Sequence, residues 1–128
     1  MKKVLITGAT GQDGTILSKI LIKKKFKVFG FINKNIKIKN FQLKYYNIKN
    51  KNFQYIKNKL DEIKPNVIIH LGSKNPSFNK SFNKKDYESN LLFTKKLVNY
   101  IINKKIKFIF PSSFQIFFLL NTDIMEVL

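Results

Sequence analysis

The chain has 128 residues, 44% of them hydrophobic, which is enough for one domain with one core and too short for two. The absence of cysteine excludes a disulfide framework and a thiolate metal site. The first residues lead directly into a short strand-like run instead of the long apolar segment of a signal peptide, and no stretch has the length of a membrane span. We therefore expect a cytoplasmic protein that does not enter a membrane.

The formal net charge of +18 invites a nucleic-acid interpretation, because basic proteins bind phosphate backbones. All 25 basic residues are lysines, however, whereas arginine makes the commonest bidentate contact to guanine. The lysines are spread from Lys2 to Lys107, and Lys, Asn, Ile and Phe, which have AT-rich codons, fill more than half of the chain. We attribute the charge to codon bias and a solvated surface, and we expect no nucleic-acid partner.

Strand-like and helix-like patterns of hydrophobic residues alternate along the chain. Short apolar runs predict five strands, at Lys3–Thr7, Phe26–Ile32, Leu43–Tyr46, Val67–Leu71 and Ile106–Phe110. Helical spacing predicts three helices: Gln12 to about Lys25 with Ile16, Leu17, Ile20 and Leu21, a second with Phe53, Ile56, Leu60 and Ile63 before Pro65, and a third with Leu91, Leu97, Val98, Ile101 and Ile102. This alternation indicates an α/β fold with a parallel sheet that is covered on both faces.

The segment TGATGQDG, from Thr7 to Gly14, lies where the first strand passes into the first helix. Its three glycines leave little side-chain bulk on the inner surface of the turn, and the helix that follows points backbone N–H groups and its positive dipole end outward. Both features suit a phosphate group, and ligands of open parallel sheets bind beyond the carboxyl ends of the strands. The segment therefore predicts a dinucleotide site, although its G-x-x-G-x-x-G spacing differs from G-x-G-x-x-G.

The motif T-G-x-x-G-x-x-G after a first strand resembles the extended short-chain dehydrogenase/reductases, the NAD-dependent epimerase/dehydratase superfamily, and TGATGQDG is similar to the GDP-mannose 4,6-dehydratases in particular. The resemblance continues in KPNVIIHLGS (Lys64–Ser73), in SFNKKDYESNLLFTKKLV (Ser81–Val98) and in IKFIFPSSFQIF (Ile106–Phe117). It implies a Rossmann-type, doubly wound parallel sheet in three α/β/α layers, truncated after about the fifth strand, over residues 1–118. Residues 119–128 match nothing in the family, and we expect an atypical apolar tail there.

The resemblance also implies a nicotinamide dinucleotide cofactor. The residues that it assigns to the pyrophosphate and its turn are Thr7, Gly8, Gly11, Gln12, Asp13 and Gly14. After the second strand the chain has Asn33 and Lys34, with no acid to bind the adenosine 2′-OH and with a base that can neutralise a 2′-phosphate. We therefore expect NADP, with NAD as the alternative.

Two further loops match the cofactor site of the family. Asn47 and Ile48 follow the third strand, where the family has an Asp-Leu pair whose Asp contacts adenine; Asn keeps an acceptor and loses the charge. The residues that match the small-residue loop under the cofactor are Leu71, Gly72 and Ser73.

His70 has no second metal-type ligand beside it, so we interpret it as a core residue and expect no metal.

The catalytic residues match only in part. The family oxidises a sugar hydroxyl with a Tyr-x-x-x-Lys pair after the fifth strand, where the Lys lowers the pKa of the Tyr. Ser113 matches the Ser/Thr that orients the hydroxyl, Gln115 replaces the Glu of the dehydratases, and no Tyr follows Ser113. The Tyr-x-x-x-Lys motif also occurs before the fifth strand, at Tyr45/Lys49, Tyr55/Lys59 and Tyr100/Lys104. We discard these matches, because the family has no catalytic pair in those elements.

We therefore expect the amino-terminal part of a dehydratase of a nucleotide sugar, GDP-mannose by resemblance, shortened by a frameshift or an incomplete gene, inactive alone and compatible with a homo-oligomer. Gln115 leaves open an epimerase or reductase of the same superfamily. A non-catalytic dinucleotide-binding module is a third interpretation. The downstream DNA distinguishes them, because a second reading frame with Tyr-x-x-x-Lys would support an interrupted enzyme.

Overall fold

The computed structural model describes residues 1–35, 43–72 and 83–111, which form a sheet of five strands and three helices. All the predicted strands and helices are present. Their bounds in chain order are β1 Lys3–Thr7, α1 Gln12–Lys23, β2 Lys27–Ile32, β3 Leu43–Asn47, α2 Phe53–Ile63, β4 Val67–His70, α3 Lys84–Ile101 and β5 Lys107–Ile109.

The strands are all parallel and lie in the order β3-β2-β1-β4-β5. The chain starts in the middle of the sheet, runs outward to β3, and then crosses back to place β4 on the other side of β1. Val4 of β1 accordingly pairs with Val28 of β2 and with Val67 of β4. The doubly wound sheet is confirmed, and its topological switch point lies between β1 and β4, beside the glycine turn.

Helices cover the two faces of the sheet, so the three-layer prediction is also confirmed. On one face Leu5, Phe31 and Ile68 pack against residues of α2 and α3, among them Leu60 and Leu97. On the other face Val4, Ile6 and Val28 pack against Leu17 and Leu21 of α1. The side chains of β1 from Val4 to Thr7 are all buried, as expected for a central parallel strand.

The predicted apolar face of α1 is wrong in part. Leu17 and Leu21 contact the core, but Ile16 and Ile20 are 53% and 46% exposed. The buried small residues of this helix are Gly14 and Ser18, and the Ser18 hydroxyl donates to the Gly14 carbonyl at 2.6 Å. Because the helix approaches the sheet through these small residues, the neighbouring isoleucines point away from the core.

The third helix begins earlier than its apolar residues predict, at Lys84. Its first turn is closed by a capping box, in which the Asn83 side chain accepts from the Asp86 N–H while the Asp86 carboxylate accepts from the Asn83 N–H. Leu97 is buried as predicted, whereas Ile102, which caps the carboxyl end of this helix, is 65% exposed. No helix within the three described ranges combines the length and apolarity needed to cross a bilayer.

Candidate cofactor site

The predicted cofactor residues come together at one edge of the sheet. Because the strands are parallel and β3, β2, β1 and β4 are neighbours in that order, their carboxyl ends lie side by side. The residues at or just after these ends include Thr7, Asn33, Asn47 and Gly72. Loops far apart in sequence therefore share the edge where ligands of doubly wound sheets bind.

Gly8 begins the turn in a conformation that favours glycine, with a φ of 68°. Its N–H donates to the Phe31 carbonyl at 3.1 Å, which joins the turn to β2. A Cβ on Gly8 would lie 2.8 Å from the Gly72 Cα, and a Cβ on Gly72 would lie 2.9 Å from the Gly8 nitrogen. The two backbones thus touch, and neither position has room for a side chain.

Gly14 and Gly11 lack a side chain for different reasons. A Cβ on Gly14 would lie 2.4 Å from the Gly8 carbonyl oxygen and 2.8 Å from the Ala9 Cα, so the contact of α1 with the turn requires glycine. A Cβ on Gly11 would meet, among the described residues outside its immediate chain neighbours, only the Gly8 oxygen within 4 Å, at 3.3 Å. Gly11 also has an ordinary φ of −67°. The fold therefore excludes a side chain at 8 and 14, while at 11 the described residues leave the space open except toward the Gly8 carbonyl oxygen, with which a Cβ would make a tight contact.

The amino end of α1 faces this open space. Gly11 is the N-cap, and in the part of the chain that the structure describes no side chain caps the helix. The turn is closed by backbone bonds, from the Gly11 N–H to the Gly8 carbonyl at 3.1 Å and from the Thr15 N–H to the Gly11 carbonyl at 2.9 Å. Gln12 and Asp13, the next predicted residues, form the exposed start of the helix. An uncapped helix start with its positive dipole end can receive an anion.

The ends of β2 and β3 are tied together beside the turn. Asn33, Lys34 and Asn35 are exposed, and the Asn47 side-chain Nδ2 donates to Asn35 Oδ1 at 2.7 Å. Asn47 Oδ1 also accepts from the Lys49 N–H at 2.9 Å. The Ile48 N–H donates to the Ile32 carbonyl at 2.8 Å. The loop that carries Lys34 is thus joined by a side-chain bond to the predicted adenine residue, a link that sequence reasoning missed.

His70 is buried, as the sequence interpretation proposed, and both ring nitrogens have partners. Nδ1 lies 2.6 Å from the Thr7 hydroxyl and Nε2 lies 2.9 Å from the Thr94 hydroxyl. The ring packs against Phe93, Phe108 and Phe110 at centroid distances of 5.5, 6.0 and 5.4 Å. Burial lowers the pKa of His70 to about 4, so the ring is neutral near pH 7. Across the described ranges, no cluster of three His, Asp or Glu residues could hold a metal ion.

The structure supports the rejection of two early Tyr-x-x-x-Lys matches. The Tyr100 hydroxyl donates to Asp61 at 2.5 Å. Burial is the larger cause and this bond the smaller cause of a raised pKa at Tyr100. Burial also raises the pKa of Tyr45, whose ring packs on Gly30, where a Cβ would lie 2.6 Å from its Cδ1. A catalytic phenolate needs the opposite shift. In the third match the Lys59 ammonium lies above the Tyr55 ring, 5.7 Å from its centroid.

Three predicted site residues lie outside the described residues, namely Ser73, Ser113 and Gln115, and so does the predicted tail at 119–128. Sequence reasoning also overlooked Gly30 of β2. Ala9 and the Tyr45 ring pack so closely on it that a Cβ there would lie 2.6 Å from an atom of each. The one signal for it in the sequence was a glycine within an otherwise apolar strand, which is typical of close approach by another group.

Residues 4–118 match the model of the NAD dependent epimerase/dehydratase family. A GDP-mannose 4,6-dehydratase of Yersinia enterocolitica serotype O:8 / biotype 1B is 31% identical over 72 residues, which are 56% of this chain and 17% of that protein. The chain therefore spans about a sixth of the length of this curated relative.

Solved structures share the fold. The dTDP-glucose 4,6-dehydratase of Bacillus anthracis str. Ames, solved in complex with NAD, has a TM-score of 0.71 at 14% identity over 88% of this chain and 38% of its own. The UDP-Glc/GlcNAc 4-epimerase of Campylobacter jejuni has a TM-score of 0.70 at 21% identity over 86% of this chain and 36% of its own. At such identities the likeness establishes the fold alone, over less than two fifths of each neighbour.

Proposed function

This chain belongs to the NAD dependent epimerase/dehydratase family, and from that premise we propose that it is the NADP-binding part of a nucleotide-sugar dehydratase that acts on GDP-mannose. The observation that carries the proposal is the turn between β1 and α1. Packing within the fold excludes a side chain at 8 and 14, whereas at Gly11 a Cβ would make one tight contact, 3.3 Å from the Gly8 carbonyl oxygen. A ligand that approaches the backbone closely gives a further reason for glycine at this position.

A pyrophosphate group fits this turn. The space left by the missing Gly11 side chain adjoins the uncapped amino end of α1, where N–H groups and the helix dipole favour negative charge. Gly72, held against Gly8, keeps the loop after β4 free of a side chain at the same edge of the sheet. The turn, the helix start and the loop thus meet the steric and electrostatic needs of a dinucleotide.

The preference for NADP is supported by the charge at the end of β2. Asn33, Lys34 and Asn35 include a base and no acid. A carboxylate here would accept from a ribose 2′-OH and repel a 2′-phosphate, whereas an ammonium attracts the phosphate. NADPH is therefore expected to bind more tightly than NADH.

The substrate rests on resemblance. GDP-mannose as substrate is supported by the segment TGATGQDG and by the 31% identity over 72 residues to a GDP-mannose 4,6-dehydratase. When bound, the nicotinamide supplies reversible hydride transfer from a sugar carbon. Ser113 would hydrogen-bond the sugar hydroxyl that is oxidised and thus hold it in place.

Gln115 favours a second candidate from the same superfamily. An amide cannot take or give a proton at neutral pH, whereas elimination of water in the dehydratase uses the Glu of the family pattern at this position. An epimerase or a reductase needs no such step. We therefore keep a nucleotide-sugar epimerase or reductase as the alternative activity of the whole enzyme.

The experiment that tests the cofactor site is calorimetric titration of the purified chain and of Gly11→Val with NADPH. The Val side chain would occupy the space proposed for the pyrophosphate, so we expect binding to fall below detection. The thermal midpoint should fall modestly, because Val is a poorer N-cap than Gly and its Cβ would lie 3.3 Å from the Gly8 carbonyl oxygen. Asn83→Val, at the N-cap of α3, controls for the loss of a helix cap. Equal affinity of Gly11→Val and the unsubstituted chain would refute the proposed site.

A further inference from the structure

Thr7, at the end of β1, holds the loop after β4 in place. Its hydroxyl oxygen accepts from the Gly72 N–H at 2.9 Å, and its carbonyl accepts from the Leu71 N–H at 3.2 Å. These bonds press the Gly72 backbone against Gly8 at the glycine turn. The position of this loop therefore depends on where the Thr7 hydroxyl points.

The Thr7 hydroxyl is itself oriented by His70. The Gly72 N–H takes one of the two lone pairs of the Thr7 hydroxyl oxygen, and His70 Nδ1, 2.6 Å away, is the acceptor that the described residues offer to the hydroxyl proton. At the other end, the Thr94 hydroxyl donates to the Asn90 carbonyl at 2.9 Å, so its oxygen accepts from His70 Nε2–H. The two backbone groups thus set the direction of the whole chain of bonds and select the Nε2–H tautomer of His70.

No other tautomer satisfies the same bonds. A proton on Nδ1 would face Thr7, whose hydroxyl proton would then lose its acceptor inside the core, and Nε2 would face a Thr94 hydroxyl that already donates elsewhere. An unsatisfied buried polar group costs about 1–3 kcal/mol in proteins generally. The environment keeps the ring neutral, since its packed neighbours are Phe93, Phe108 and Phe110 and burial holds the pKa well below its usual range.

We propose that His70 is a positioning residue for the dinucleotide site, which acts through the Thr7 hydroxyl to hold Gly72 against the glycine turn. This inference rests on the proposed cofactor binding and adds to it a residue that does not touch the cofactor. It also joins the site to α3, because the same ring is bonded to Thr94 on that helix. The His70 ring therefore links the end of β1 to α3 through the hydroxyls of Thr7 and Thr94.

Two substitutions separate this role from a purely structural one. His70→Phe fills the volume of the ring and retains the aromatic packing, but it removes the acceptor for Thr7. His70→Asn leaves a cavity, yet its carbonyl oxygen lies close to the position of Nδ1 and can accept from the Thr7 hydroxyl. We expect His70→Phe to be the more stable variant and to bind NADPH about fivefold more weakly than the unsubstituted chain. We expect His70→Asn to be less stable and to recover most of that affinity.

The matched control is Tyr100→Phe, which removes a partly buried hydroxyl that is hydrogen-bonded to Asp61, away from the glycine turn. It should lower stability and leave NADPH affinity unchanged. Affinities that follow the thermal midpoints of the two His70 variants would overturn the positioning role, as would unchanged binding by His70→Phe. Failure of the unsubstituted chain to bind NADPH or NADH would instead overturn the proposed function together with this inference.

A measurement on the unsubstituted chain covers the case in which His70→Phe does not fold. The ¹⁵N resonances of the His70 ring at pH 7 report which nitrogen carries the proton. We expect a protonated Nε2, an unprotonated Nδ1, and a shift of the Nδ1 resonance when NADPH binds, because the Thr7 bond links the ring to the site. An Nδ1–H tautomer, or ring resonances that NADPH leaves unchanged, would refute the proposal.

Discussion

Lys34 lies exposed two residues after the end of β2, and its loop is joined to β3 by the bond between Asn35 and Asn47. The backbone bond from the Ile48 N–H to the Ile32 carbonyl adds a second tie at the same place. A lysine on a loop that is held in this way has a more restricted set of positions than one on a free loop. Under the proposed function, that restriction would let a single charge discriminate between the two cofactors.

We predict that Lys34→Asp narrows or reverses the preference for NADPH over NADH, changing the ratio of the two dissociation constants by about tenfold or more. The carboxylate repels a 2′-phosphate and accepts from a 2′-OH. Calorimetric titration with each cofactor gives the ratio. Lys105→Asp, an equal charge change just before β5 at the opposite edge of the sheet, should leave it as it is. An unchanged ratio in Lys34→Asp would make Lys34 one more surface lysine.

At the scale of elements, α2 and α3 are held together on one face of the sheet by apolar packing and by a hydrogen bond. Ile56 and Leu60 of α2 belong to the same core cluster as Leu97 of α3. The Tyr100 hydroxyl reaches across from α3 to Asp61 on α2, and the Lys104 ammonium lies 4.0 Å from the centroid of the Tyr100 ring. Within the sequence match Tyr100/Lys104, the Tyr100 hydroxyl thus makes a contact between the two helices.

We predict that Tyr100→Phe lowers the free energy of unfolding by about 1 kcal/mol, because the hydroxyl bond is lost while the ring still packs. Urea unfolding followed by circular dichroism measures this difference. Tyr87→Phe, at a position 44% exposed on the same helix, should have a negligible effect. Equal midpoints for Tyr100→Phe and Tyr87→Phe would show that the bond to Asp61 does not stabilise the helix pair.

At the scale of the whole molecule, we predict that the 128-residue chain by itself does not turn over a nucleotide sugar. No Tyr follows Ser113, and two of the three earlier Tyr-x-x-x-Lys matches have a Tyr with a raised pKa. Loss of a general base typically removes about 10²–10⁴-fold of the rate. The assay follows the 4-keto product from GDP-mannose in the presence of NADP.

Ser113→Ala is the informative variant for this assay. Turnover by the purified chain that survives Ser113→Ala would refute the argument that the catalytic machinery is incomplete. Turnover that Ser113→Ala abolishes would show that Ser113 is catalytic and that one of the three early tyrosines serves as the base. Substitution of each of the three by Phe would then identify it.

The sequence by itself determined the local features of this protein. The strands, the helices and the turn from Thr7 to Gly14 follow from hydrophobic period and glycine spacing, which are properties of short segments, and the family was expected from the resemblance of its motifs. The buried role of His70 was also predictable, since one histidine on an apolar strand has no partner ligands nearby in sequence. Element ends were less predictable, because the start of α3 depends on the capping box at Asn83 and not on apolar residues.

Only the tertiary structure decided which residues meet. His70 joins Thr7 and Thr94, which are 63 and 24 residues away from it, and no periodicity encodes such pairs. The exposure of Ile16 and Ile20 follows from the close approach of α1 through Gly14, which a helical wheel does not show. The glycines of the turn were alike in the sequence, yet packing requires two of them and leaves space at Gly11. Such distinctions depend on atoms from distant segments, and they exist only once the sheet has formed.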